Sequence, residues 1–211
     1  MKKIMFNDRF CLTQAVLEGR KTMTRRIITL KQEKWLRFIE GDNPIDWIRR
    51  IKYIPKEVVS VAQSYKNAGY ASDTIQRGRA VRKSIHSEDW DDEMIGKFGD
   101  WYIDQLAGWN NKMFTLPKMM PHQILITDIH VDRLQDISDE DCLNEGISRC
   151  CEYYECSRGG YIYDTPLWEP EVCPCFGTPQ EAFASLIDKV TGKGTWDRNP
   201  YVFVYDFELV K

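Results

Sequence analysis

The stretch Glu18-Gly19-Arg20-Lys21-Thr22-Met23-Thr24-Arg25-Arg26 constrains this chain more than any other. It follows a short amphipathic run whose apolar positions are Phe10, Leu12, Ala15, Val16 and Leu17, so a helix is expected over about residues 9–18. Gly19 stands where that helix should end, and glycine takes the left-handed conformation that closes a helix. The cations that follow meet the negative end of the helix dipole. The chain then runs into Ile27-Ile28-Thr29-Leu30, read as a second strand after a Lys/Thr/Arg loop. A lysine, two hydroxyls and three guanidiniums presented together suit a phosphate, a carboxylate or a nucleobase edge. Solvated charge at a helix end is the plainer reading of the same residues.

The rest of the composition bounds what the cluster can serve. A chain of 211 residues with 43% hydrophobic and 12% aromatic residues can build the core of one ordinary domain. The net charge of −3 means that any polyanion site is a local patch, with Arg20–Arg26 its best candidate. Asp8 and Arg9 interrupt the apolar N-terminus, so no signal peptide is expected there. No apolar run approaches the roughly 18–20 residues of a membrane span, and a cytoplasmic protein is expected. In that compartment the seven cysteines (11, 142, 150, 151, 156, 173 and 175) read as thiols. Cys173-Pro174-Cys175 leaves one residue between its thiols, where a zinc knuckle uses two to four. The histidines at 86, 122 and 130 are scattered, and neither a metal nor a cofactor is expected.

Along the chain, Lys3–Phe6 reads as an opening strand and Glu57–Gln63 as a β-branched one. Residues 31–50 carry a helical period around Trp35, Phe38, Ile39, Ile45 and Ile48, broken at Gly41–Pro44. Ile124–Asp132 alternates as a strand with one inward face. Ser138 caps a helix that closes at Gly146, with Asp141 at the capping-box position. Thr178-Pro179 opens a further helix with Phe183, Leu186, Ile187 and Val190 as its apolar stripe, and Val202–Val210 is the last strand. About residues 66–112 and 150–178 read as insertions. The first holds a basic run, Arg77–Lys83, and an acidic one, Glu88–Glu93, and its tryptophans 90, 101 and 109 read as packing anchors. The order supports a mixed α+β fold.

Gly19-Arg20-Lys21-Thr22-x-Thr24-x-Arg26 after a short helix resembles the signature of the ASCH family, a PUA-like β-barrel group. Leu134–Asp141 leading to Glu145-Gly146-Ile147 is similar to the family's barrel-adjacent helix, and Trp196–Phe207 to its closing strand. The resemblance implies one PUA-like domain over residues 1–211, with peripheral helices and the two insertions. It also implies two kinds of function. One is binding of RNA or a modified nucleotide through Arg20, Lys21, Thr22, Thr24, Arg25 and Arg26, the reading favoured by the sequence. The other is an amidohydrolase that deacylates a modified nucleoside such as acetylcytidine through Lys21, Thr24 and Glu145. A threonine hydroxyl needs a base to become a nucleophile, and a lysine serves once burial or neighbouring cations leave its amine partly neutral. A ribonuclease on the same patch is a third alternative, though it lacks a histidine pair. The chain is larger than the small enzymes of the family and carries Gln63 where relatives place an acid.

Overall fold

The computed structural model describes residues 1–29, 51–70, 108–149, 160–163 and 175–210. The helical readings over 31–50, most of both insertions and four of the seven cysteines lie outside them. Within them the fold is α+β, with a five-stranded mixed sheet in the order β1-β3-β4-β7-β2. Its strands are β1 (Lys3–Ile4), β2 (Met23–Ile27), β3 (Val58–Val61), β4 (Gln123–Arg133) and β7 (Tyr201–Val210). A separate two-stranded ribbon pairs β5 (Ser148–Arg149) with β6 (Tyr161–Ile162). The helices are α1 (Leu12–Leu17), α2 (Asp139–Asn144), α3 (Pro179–Thr191) and α4 (Thr195–Arg198). Among the described residues the sheet runs open from β1 to β2, and no helix is long and apolar enough to cross a membrane.

The chain divides into two compact units, Met1–Met5 with Ser60–Gln123, and Phe6–Val59 with Ile124–Lys211. In the first, β1 runs parallel to the end of β3, pairing Lys3 with Ser60 and Ile4 with Val61. Its small core joins Tyr65 and Met120, with Tyr70, Trp109 and Met119 packed against them, so Trp109 is a packing anchor. Gly108 is required there: its φ is +93°, and a Cβ would lie 2.8 Å from the Tyr65 ring. Gln63 is buried, with its side-chain oxygen 2.8 Å from His122 Nδ1.

The second unit holds the longer helices. Thr178 and Glu181 form a reciprocal capping box around Pro179, which satisfies donors that the first turn of α3 would otherwise leave open. Such a cap contributes about 1 kcal/mol. From α3 the buried face is Ala182, Phe183, Leu186 and Ile187, with Phe183 edge-on to Trp196. Val190, expected in the stripe, stands 36% exposed at the last turn, where α3 has left the core. Ser138 caps α2 by accepting from Asp141 N at 3.1 Å.

The largest departure from the sequence reading is β2. It begins at Met23, four residues ahead of Ile27 where the strand was expected, and takes in Met23–Arg26, the second half of the cationic motif. The cause is β7, which pairs antiparallel with it from Met23↔Asp206 through Thr24↔Tyr205, Arg25↔Val204 and Arg26↔Phe203 to Ile27↔Val202.

Candidate functional site

The motif is fixed by its backbone before any side chain acts. Gly19, at φ +74°, closes α1, and the amides of Arg20 and Lys21 both return to the carbonyl of Ala15. Thr22 N then donates to Asn144 O at 2.9 Å, and Thr22 O accepts from Phe207 N at 2.8 Å. The loop between α1 and β2 is thereby tied to the end of α2 on one side and to β7 on the other. That attachment sets where Lys21 can reach.

Lys21 Nζ donates to the backbone oxygen of Glu145 at 2.7 Å and to Glu145 Oε2 at 2.5 Å. Glu145 is the C-cap of α2, so the ammonium meets both a terminal carbonyl and a carboxylate. Gly146 follows at φ +98°, a conformation that suits glycine, and a Cβ there would meet Lys21 Cδ and Leu12 Cδ2 at ordinary contact distances of 3.7 and 3.5 Å. Lys21, Thr24, Arg25 and Glu145 are 2, 5, 5 and 4% exposed. Burial drives the lysine's pKa below its ordinary value; Glu145 works against that shift, and the charges of Arg26 and Arg25 add to it.

Arg25 is the second cation in the network. Its Nη2 donates to Asp141 Oδ2 at 2.9 Å, and its Nη1 lies 2.9 Å from Met23 Sδ and 3.5 Å from Glu145 Oε1. Two deeply buried atoms here, Arg25 Nε and Glu145 Oε1, have no hydrogen-bond partner among the described residues. An unmatched donor and an unmatched acceptor in one buried network are what a ligand with both functions would complete. Cys142 is buried on α2 beside these groups, and burial pushes its thiol up to about 12, which keeps it protonated and inert.

Strand alternation separates the remaining motif residues. Met23 and Arg25 share one face of β2, and Thr24 and Arg26 the other. Arg26 lies over the Phe6 ring at 5.7 Å, and Lys21 Nζ is 6.0 Å from the same ring. The structure therefore brings Lys21, Arg25 and Glu145 into one network and sets Arg26 beside Lys21 across Phe6. Thr24 stands on the Phe6 side of the strand, and its hydroxyl makes no hydrogen bond to another described residue. Arg20 stays at the rim, 2.7 Å from Glu18 and 3.4 Å from Ser148 Oγ, while Thr22 acts through its backbone.

Sequence reasoning missed Asp141 as the partner of Arg25, because a capping role already accounted for it. It also missed a group of metal-ligand types. Asp128, His130 and Asp206 each offer one ligand atom within 4.8 Å of the others. No disulfide joins the described cysteines 11, 142 and 175 to one another. Comparison with protein-family models, curated proteins and solved structures finds no significant match.

Proposed function

We propose that this chain is an amidohydrolase acting on a modified nucleoside such as acetylcytidine, built on a PUA-like barrel of the ASCH type. The observation that carries the reading is the buried Lys21–Glu145 pair at 2.5 Å, with the lysine's pKa lowered by burial. A phosphate-binding patch needs cations open to solvent, whereas Lys21 and Arg25 are buried and engaged by Glu145 and Asp141. A lysine that releases its proton more readily than usual is suited to general base catalysis.

In this scheme Lys21 first releases a proton, and Thr24 Oγ1 then attacks the amide carbonyl while its own proton passes to the Lys21 amine. Collapse of the tetrahedral intermediate breaks the C–N bond, and the Lys21–Glu145 pair returns the proton to the leaving nitrogen. Water, activated by the same pair, then cleaves the threonine ester to release the acid and restore the hydroxyl.

The binding reading keeps one observation in its favour: the Arg20 side chain is 26% exposed at the rim of the motif. The two separate by salt and by turnover. An uncharged acetylated nucleoside should be hydrolysed at a rate nearly independent of ionic strength, and single-stranded RNA should bind weakly. RNA affinity that falls steeply with salt, with no nucleoside turned over, would move the function to binding.

A further inference from the structure

We propose that Asp128, His130 and Asp206 form a binding site for a divalent first-row transition-metal ion, with Asp132 orienting the imidazole. Residues 128, 130 and 132 alternate along β4 and so lie on one of its faces, and the neighbouring strand β7 contributes Asp206. His130 Nε2 is 3.1 Å from Asp132 Oδ2. Asp132 thus sits on the Nε2 side of the ring and leaves Nδ1 to the other side. Nδ1 then faces Asp128 Oδ2 and Asp206 Oδ2, each at 3.9 Å. A ring nitrogen that hydrogen-bonded either carboxylate would stand about 2.7–3.2 Å from it. Instead one imidazole nitrogen and two carboxylate oxygens surround a gap.

With Asp132 3.1 Å from Nε2, a small ring rotation would complete the order metal, histidine, carboxylate, in which an outer acid holds a ligating imidazole by its other N–H. Charge argues the same way. Three carboxylates gather on one imidazole, so the cluster stays negative whether or not the ring is protonated, and Arg25, a cation felt by Asp206, is already paired with Asp141. Metal–ligand bonds of roughly 2.0–2.2 Å put opposite ligands about 4 Å apart, so small side-chain rotations close the set. One nitrogen with carboxylate oxygens favours Mn²⁺, Fe²⁺, Co²⁺ or Zn²⁺ over Mg²⁺ and Ca²⁺. The Asp128 side chain is 69% exposed, which leaves water to complete the coordination. The ion would clip β4 to β7, whatever reaction the Lys21 network performs.

The test uses the full chain, treated with chelator, with cysteines kept reduced. Mn²⁺ is the probe, because thiolates take it poorly. Bound Mn²⁺ is counted by electron paramagnetic resonance, and the same samples are melted with and without the ion. One equivalent should bind and raise Tm as its concentration increases. His130→Ala, Asp206→Asn and the exposed Asp128→Asn should each weaken binding at least about tenfold, and Asp132→Asn about 10–100-fold as an outer partner. The metal-free variants should melt near the parent, Asp128→Asn above all. Absence of stoichiometric binding would overturn the proposal. So would binding that survives both His130→Ala and Asp128→Asn, which would mark an adventitious ion only.

Discussion

Lys21→Met is expected to lower folding stability by roughly 3–5 kcal/mol, because it leaves the Glu145 carboxylate buried without its partner. Glu145 is 4% exposed, and its remaining cationic contact, Arg25 Nη1, is 3.5 Å from Oε1. Methionine keeps the length and apolar stem of lysine, so the loss reports the charge rather than a cavity. The pair Lys21→Met with Glu145→Leu should then recover most of the stability, since removing both charges also removes the desolvation cost of each. Urea denaturation at constant slope reads both variants. A double variant as unstable as the sum of the two single ones would show that the residues act separately.

The second large effect falls on turnover. Thr24→Ala and Thr24→Val should each lower deacetylation by about a million-fold, the order seen when a nucleophile is taken from a unit that acts together. Valine preserves the shape of the side chain and removes only the hydroxyl. Thr24→Ser should retain a measurable fraction of the rate, because the oxygen survives. Thr24→Val should hardly change stability, as no described residue hydrogen-bonds the Thr24 hydroxyl, whereas Thr24→Ala and Thr24→Ser each remove a buried methyl and should cost about 1 kcal/mol. Turnover that survives in Thr24→Val would exclude the threonine as nucleophile and leave Lys21 and Glu145 to activate water directly.

Local chemistry was the legible part of this fold. Ser138, Thr178 and Pro179 announce helix starts, because a cap is satisfied within three residues of itself. Gly19 marks the end of α1 for the same local reason. What decides β2 is far away. Its partner β7 lies some 180 residues further on, so nothing near Met23 or Thr24 reveals that the cationic motif is strand rather than loop. The fate of the cations was hidden in the same way. Lys21 and Glu145 are 124 positions apart, and Arg25 and Asp141 are 116. A sequence displays Arg20–Arg26 as a patch of positive charge, and the fold buries two of those charges against carboxylates. The Asp128, His130, Asp132 series was readable at the period of a strand. Spacing suited to a zinc knuckle or a helix does not find it, and Asp206 joins it only through the sheet.

The proposed hydrolysis turns on how readily Lys21 gives up its proton. Since burial holds the folded pKa below the unfolded one, the unfolded chain binds that proton more tightly. The lysine therefore weighs against folding at low pH, and its penalty eases as pH climbs from the folded value to the unfolded one. The direct measurement is the titration of Lys21 Nζ by nitrogen-15 NMR, in the parent chain and in Glu145→Gln. The expected result is a midpoint below that of the exposed lysines, falling further in Glu145→Gln because the carboxylate that favours the ammonium is gone. A midpoint at the ordinary lysine value, unmoved by Glu145→Gln, would contradict the account.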